Sequence, residues 1–142
     1  MRRHWTDGEA TLRVCAPPGA GESGAAGSLV EVPLEIAASY RARTRGLLGR
    51  DGVTGALLLT PAGSVHTFRM RFAIDVAYLD RNLTVIAVTT MPPGRLGLPR
   101  PRSRHVLEAA AGAMAEWHLR PGCRVEVVTA ERDRLGDATP RG

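Results

Sequence analysis

Residues 66–76 read HTFRMRFAIDV, and they place His66, two arginines and Asp75 in a segment that is otherwise apolar. Aromatic and β-branched residues in a short run are typical of a buried strand, whose side chains alternate between two faces. On one interpretation, Arg69 and Arg71 point to solvent while the aromatic and methionine side chains point inward. On the other, the charged groups are buried and must be paired, because an unpaired buried charge is strongly unfavourable. The second interpretation makes this stretch part of a site.

Strand patterns recur on both sides of this stretch. Alternating apolar and polar residues predict a half-buried strand at residues 30–36. Further short apolar runs predict strands at residues 56–59, 65–68, 74–79, 83–89, 105–108 and 124–129. Pro33 restricts the first of these strands to an edge of the sheet or to an unpaired position.

Two short helical segments interrupt the strand pattern. Ser39 can cap the start of a helix and Gly49 can end it, while residues 112–118 predict one helical turn. We therefore expect a mainly β (α+β) fold, a compact β-sandwich or barrel-like sheet of short strands with one or two small helices.

The length of 142 residues is enough for one domain with one core. We expect a single β-rich domain at residues 28–130, a flexible Gly/Ala/Pro-rich tail at residues 1–27 and a disordered tail at residues 131–142. No apolar run reaches the ~18 residues of a membrane helix, and the N-terminus lacks the pattern of a secretory signal. The predicted location is therefore the cytoplasm, without membrane insertion.

The chain is basic, with a net charge of +5, and all of its 19 basic residues are arginine. Arginine alone forms planar bidentate pairs with phosphate, but the complete lack of lysine is more simply explained by a compositional bias of the genome. Cys15 and Cys123 are far apart in the sequence, and two such thiols predict neither a disulfide framework nor a metal site.

Three segments of the chain share one resemblance. Residues 43–50 read RTRGLLGR and residues 66–75 read HTFRMRFAID, while residues 106–108 (VLE) precede Gly112 and residues 119–123 (LRPGC). In this order they resemble motifs of a bacterial and archaeal family known as domain of unknown function 192, the second in its actinobacterial form. Together they span about residues 29–128, almost the whole of the predicted domain.

The resemblance implies a compact, mostly β fold with no established biochemical activity. It also implies a possible protein partner in pilus or secretion assembly, since family members are found near such genes in some bacteria. Arg69 stands where the family usually has Gly or Trp, and Cys123 stands where it usually has Asp. A site that depends on an Asp after Pro121 and Gly122 is therefore not expected here.

His66 and Asp75 are the candidate catalytic residues, because His titrates near neutral pH and a carboxylate can orient it. No Ser, Thr or Cys lies in a recognisable nucleophile motif. The four histidines are scattered without the spacing of metal ligands, so neither a metal nor a cofactor is predicted.

Arg43, Arg71, Asp75 and Glu108 each lie in an apolar neighbourhood, where charges are retained when they are paired. Arg71 and Asp75 are four residues apart on the predicted strand, too far to pair directly. We therefore predict a structural ion pair between Arg43 and Asp75 that holds the helix on the sheet. The predicted ligand-binding residues are His66, Met70, Arg71, Arg43 and Glu108.

Two arginine clusters, at residues 41–50 and 95–104, raise nucleic-acid binding as a rival function. Few aromatic residues are available for base stacking and no known nucleic-acid module is present, so this function is not favoured.

The favoured interpretation is a non-enzymatic, monomeric binding or accessory module for a peptide or protein partner. Such a partner could add to an exposed edge such as the Pro33 strand. The alternative is a small hydrolase-like or lyase-like enzyme that uses His66 and Asp75, with Arg71 holding an anionic substrate. The two interpretations differ in whether these side chains share one concave surface.

Overall fold

A computed structural model describes residues 5–15 and 30–129 of the chain. These residues form seven strands and two short helices. The strands are β1 Gly8–Cys15, β2 Val30–Ala37, β3 Ala56–Leu59, β4 Ile74–Leu79, β5 Val85–Met91, β6 His105–Ala110 and β7 Arg124–Thr129, and the helices are α1 Tyr40–Arg45 and α2 Ala113–Glu116. The expected mainly β fold is confirmed.

One curled sheet contains all seven strands, in the order β5-β4-β6-β3-β2-β1-β7. Every neighbouring pair is antiparallel except β2 and β3, which are parallel and are connected through α1. The two ends of the sheet approach each other, since Thr84 bridges Arg124 and the Val85 amide donates to the Cys123 carbonyl at 2.7 Å. The sheet is therefore a half-barrel.

Both faces of the central strands are buried. We call one layer the α2-side core, which contains Leu58, Ala77, Leu107 and Met114. We call the other the α1-side core, which contains residues of the same strands that point the opposite way, with Leu47 from the segment after α1. Burial on both faces explains why β3, β4 and β6 are nearly continuous apolar runs.

Strand β1 lies within the segment that the sequence predicted to be a flexible tail. The tail prediction is wrong for residues 8–15, which pair with β2 and β7. Leu12 and Val14 alternate with polar residues and enter the α2-side core, as in any half-buried strand. The tail residues 1–4, 16–27 and 131–142 lie outside the described part of the chain.

The two cysteines are closer in the fold than their sequence separation suggests. Cys15 pairs with Arg124, the residue that follows Cys123. Both cysteines are free thiols, and burial raises the pKa of Cys15.

The stretch at residues 66–73 is a loop, so the strand predicted at residues 65–68 is wrong. Only His66 makes a bridge, to Leu96. Thr67 is completely buried, and the chain turns at Phe68 and Arg69, where Arg69 has a φ of 63°. Phe68 is 46% exposed instead of pointing inward, whereas Met70 is buried as predicted.

Helix α1 begins where the sequence predicts it, because the Ser39 hydroxyl accepts a hydrogen bond from the Ala42 amide at 3.1 Å. The Asp7 carboxylate also accepts from the amides of Ala38 and Ser39, at 2.6 and 2.8 Å. The helix ends at Arg45, before Gly46, and not at the predicted Gly49.

Strand β2 is an interior strand, so the edge position considered for Pro33 is wrong. Pro33 pairs with Thr11 of β1, whereas the ladder to β3 begins one residue later, at Leu34. Proline is accommodated because it lies before the start of the β3 ladder. Gly55 packs against Pro33 at this point, and a Cβ on Gly55 would lie 2.3 Å from the Pro33 carbonyl oxygen.

Candidate functional site

A small cavity of about 100 Å³ lies where α1 and the segment after it cover the sheet. The loop after β3 and strand β6 complete its wall. Its polar or charged side chains are Arg43, Thr44, Arg45, Ser64, His66 and Glu108, and its apolar ones are Leu47, Leu48, Leu59, Val65 and Met70.

Glu108 is the carboxylate of this cavity. It lies in the middle of β6, where Leu107 and Ala109 enter the α2-side core, so strand alternation turns Glu108 toward α1. Glu108 is only 5% exposed, and a Cβ on Gly46 would lie 4.0 Å from its Oε1. Burial raises the pKa of Glu108 from 4.5 to about 7. Among the residues that the structure describes, none forms a hydrogen bond or an ion pair with this carboxyl group.

Arg43 lies on the helical side of the cavity. Its Nη1 donates to the Pro61 carbonyl at 3.2 Å, which ties α1 to the loop after β3. Its Nε is buried and has no hydrogen-bond partner in the described chain. The cavity wall therefore combines an arginine with an unused donor and a carboxyl group with unused acceptors.

His66 and Met70 line the same cavity from the loop after β3. The His66 ring is stacked on Phe68, with 5.1 Å between the ring centroids, and its Nδ1 accepts from the Phe68 amide at 3.3 Å. Met70 is 9% exposed and forms part of the α1-side core. Four predicted ligand-binding residues thus share one cavity: Arg43, His66, Met70 and Glu108.

Asp75 is on the opposite face of the sheet. Its Oδ2 accepts from the amides of Gly112 and Met114, at 2.9 and 3.1 Å, and its Oδ1 accepts from the Thr90 hydroxyl at 2.6 Å. The predicted Arg43–Asp75 ion pair is therefore wrong. Backbone and hydroxyl donors satisfy this buried carboxylate, so it needs no cation. The catalytic pairing of His66 with Asp75 is not assembled either, because the sheet separates the two side chains.

Arg71 is also outside the cavity. It is exposed and its Nη1 forms a salt bridge of 2.9 Å with Asp51. Because residues 66–73 turn instead of continuing as a strand, Arg71 does not share the face of Glu108. The structure does not support its predicted role in holding an anionic substrate at His66.

Arg45, Ser64 and Leu47 are cavity residues that the sequence interpretation missed. The motif at residues 43–50 indicated a helix end, but no local pattern shows that this segment covers β6. The apolar strand that contains Glu108 was the readable signal for the site. Within residues 5–15 and 30–129, no group of three or more potential metal-ligating side chains is assembled. No helix in the same ranges is long and apolar enough to span a membrane.

Solved structures with the same fold cover most of the chain. The Sinorhizobium meliloti protein R01717, a proposed transcription regulator, has a TM-score of 0.70 at 16% identity and covers 88% of this chain and 98% of its own. A Novosphingobium aromaticivorans protein of unknown function has a TM-score of 0.66 at 19% identity and covers 82% of this chain and 83% of its own. These similarities support the fold alone.

Sequence comparison shows archaeal relatives. The UPF0127 protein PH1112 of Pyrococcus horikoshii is 33% identical over 87 residues, which are 58% of this chain and 76% of that protein. The UPF0127 protein PYRAB11210 of Pyrococcus abyssi is 30% identical over 104 residues, 70% of this chain and 89% of that protein. The family model of domain of unknown function 192, described as "Uncharacterized ACR", matches residues 22–127. The chain therefore belongs to the domain of unknown function 192 family.

Proposed function

We propose that this protein is a non-enzymatic binding module, which takes a small polar group of a peptide or protein partner into the Glu108 cavity. The observation that carries the proposal is the Glu108 carboxyl group, which is buried, lines the cavity and is unpaired among the described residues. A buried polar group without a partner is unfavourable for folding. Because the carboxyl group lines the cavity, a bound group can supply the hydrogen bond that the described chain does not.

The surroundings of Glu108 suit a group that both donates and accepts hydrogen bonds. The Glu108 oxygens can accept, and the buried Arg43 Nε can donate. A volume of about 100 Å³ admits a side-chain end or a chain terminus, and it is below the size of typical pockets for whole small-molecule ligands. We therefore propose that the rest of the partner lies outside the cavity.

A binding role is favoured over the alternative of a hydrolase-like or lyase-like enzyme. That alternative needs His66, Asp75 and Arg71 in one cleft. The Asp75 carboxylate accepts hydrogen bonds from the amides of Gly112 and Met114, and Arg71 forms a salt bridge with Asp51. The family resemblance suggests pilus or secretion assembly as the setting for such a partner.

Methionine methyl groups offer a direct test. Met70 lines the cavity, whereas Met114 lies in the α2-side core on the other face of the sheet. We would label the full chain with [methyl-13C]methionine and titrate it with acetamide, methylammonium and acetate. We expect at least one of these groups to shift the Met70 signal saturably while the Met114 signal stays in place.

Glu108→Leu should abolish this response, and Glu9→Gln, at an exposed carboxylate, should preserve it. If none of the three compounds moves the Met70 signal, or if the response survives in Glu108→Leu, the Glu108 cavity is not the binding site.

A further inference from the structure

Two loops next to the cavity are joined into one surface. Residues 61–73 and 92–104, here called the two-loop surface, are connected by backbone hydrogen bonds from Thr67 to Arg95 (2.7 Å), from Gly97 to Val65 (2.8 Å) and from Arg100 to Gly63 (3.0 Å). Surface loops are commonly more mobile than the elements that they connect, and these hydrogen bonds restrict both loops. The surface is therefore held in one shape before any partner arrives.

Thr67 is the centre of this connection. Its side chain is completely buried, its hydroxyl donates to the Pro92 carbonyl at 2.7 Å, and the same oxygen accepts from the Arg95 amide at 2.8 Å. Its carbonyl accepts from the Gly94 amide at 2.7 Å. A surface that is ordered in advance loses less conformational entropy on binding.

The two-loop surface exposes apolar side chains. Phe68, Leu96 and Leu98 are 46%, 69% and 75% exposed, and among the described residues the only other exposed large apolar side chain is Tyr40. The stacking of His66 on Phe68 and the bridge from His66 to Leu96 place Phe68 and Leu96 beside the histidine of the cavity, and Leu98 follows two residues later in the same loop. Exposed apolar side chains that lie together on an ordered surface are typical of an interaction site.

The charged side chains of the two-loop surface are all positive. Residues 61–73 and 92–104 contain six arginines and no Asp or Glu. Arg71 pairs with Asp51 and the Arg100 guanidinium lies over the Tyr78 ring, 4.6 Å from its centroid. Arg69, Arg95 and Arg102 are exposed and form no salt bridge with a carboxylate of the described chain.

We propose that the two-loop surface docks a protein segment that carries apolar side chains together with Asp or Glu. The apolar side chains pack on Phe68, Leu96 and Leu98, and the acidic ones face the free arginines. This inference rests on the proposed binding function, since the same segment reaches the Glu108 cavity beside His66.

A protein segment fits this surface better than a nucleic acid or an anionic membrane does. Two of its three apolar side chains are leucines, which do not provide the aromatic stacking that single-stranded nucleic acids use. The Glu108 carboxyl in the adjoining cavity can accept a hydrogen bond from a peptide donor, whereas the phosphates of nucleic acids and lipids offer it no donor.

Selection from a phage-displayed library of random dodecapeptides tests the proposal, because such a library presents segments of every composition to the surface at once. The full chain is the bait, and enriched peptides are then synthesised and their affinity is measured by fluorescence anisotropy at low and high salt. We expect the enriched peptides to be net acidic and to contain Leu, Ile or Phe. Leu96→Ser with Leu98→Ser should weaken their binding about tenfold or more, because buried leucine contacts are lost.

Arg69→Gln with Arg95→Gln should weaken binding about two- to tenfold and should reduce its salt dependence. Tyr40→Ser with Arg81→Gln is the matched control, since both residues are exposed and lie outside the two-loop surface; its affinity should be unchanged. Denaturant unfolding of each variant checks that the fold is retained.

Absence of enrichment, enrichment of basic or neutral peptides, or unchanged affinity in the leucine variant overturns the proposal. Tighter leucine-dependent binding of a poly-dT oligonucleotide or of phosphatidylserine vesicles overturns it as well. Glu108→Leu in the same assay separates the two proposals. If binding depends on Glu108 and not on the leucines, only the two-loop surface is wrong; if it depends on the leucines and not on Glu108, only the cavity is wrong.

Discussion

The carboxyl groups of Asp75 and Glu108 lie on opposite faces of one sheet, although their strands are hydrogen-bonded neighbours. In the β4–β6 register Asp75 is opposite Ala109, and Val76 is opposite Glu108. Asp75 accepts three hydrogen bonds on the α2 side, whereas Glu108 has no such donor among the described residues on the α1 side. One carboxylate is therefore satisfied by hydrogen bonds within the fold, and the other lines the cavity without a partner in the described chain.

Replacing Glu108 should change how stability depends on pH. The unfolded carboxyl ionises near pH 4.5, and the folded one keeps its proton until about pH 7, because burial raises its pKa. The folded state thus binds more protons in this window, and the free energy of unfolding falls as the pH rises through it. The difference between the two pKa values corresponds to about 3 kcal/mol.

Urea unfolding between about pH 4 and about pH 8.5 would measure this effect. In Glu108→Leu, the decrease in the free energy of unfolding between pH 4.5 and 7 should be smaller than in the wild type by about 3 kcal/mol. Glu9→Gln, at an exposed position, should follow the wild-type curve. If the free energies of unfolding of Glu108→Leu and the wild type depend on pH in the same way, folding does not raise the pKa of Glu108.

Asp75→Asn should destabilise the fold by about 1.5–3 kcal/mol, because charged acceptors form the stronger hydrogen bonds to the Gly112 and Met114 amides. Its effect should add to that of Arg43→Met within about 0.5 kcal/mol, since the two side chains do not meet. The effects of Asp75→Asn and Thr90→Val on the free energy of unfolding should not be additive, because the Thr90 hydroxyl donates directly to Asp75. Denaturant unfolding of the two double-mutant cycles measures both couplings. A coupling between Asp75 and Arg43 larger than that between Asp75 and Thr90 would contradict the placement of Asp75.

Thr67→Val keeps the shape of the side chain and removes the hydroxyl that joins the two loops. We expect a loss of about 1–3 kcal/mol in the free energy of unfolding, because the Pro92 carbonyl and the Arg95 amide lose their partner. The Arg95 amide should also exchange its hydrogen faster. Thr44→Val, at an exposed helical hydroxyl, is the control and should change neither quantity appreciably. Unchanged exchange at Arg95 would show that Thr67 does not order the two-loop surface.

Gly55→Ala should destabilise the protein by about 2–5 kcal/mol, because its φ of +76° is unfavourable for L-residues and the new Cβ would collide with the Pro33 carbonyl. Gly52→Ala, where a Cβ meets nothing within 4 Å, should be neutral or stabilising by up to about 1 kcal/mol. Thermal and urea unfolding compare the two variants. Equal stability of both would mean that β2 and the start of β3 do not pack as described.

The pattern of apolar and polar side chains along the sequence was enough to predict most of the sheet. The predicted segments at residues 56–59, 74–79 and 124–129 coincide with β3, β4 and β7. Strand β1 was missed although Leu12 and Val14 show the same alternation, because the Gly/Ala/Pro-rich residues that follow gave the whole leader the composition of a tail. Only pairing with β2 and β7 makes this short segment a strand.

The amino-acid sequence was sufficient for the mainly β class, the family, the start of α1 at Ser39 and the placement of Glu108 among buried apolar residues. It was not sufficient for residues 66–73, which form a loop, because an alternating segment becomes a strand only when a neighbour pairs with its backbone. Nor could it show which charges meet. Alternation tells which residues of one strand share a face, but the partners of that face come from distant segments. The packing of α1 over β6 therefore brings Arg43 to the cavity of Glu108. The packing of α2 places the Gly112 and Met114 amides where they donate hydrogen bonds to Asp75.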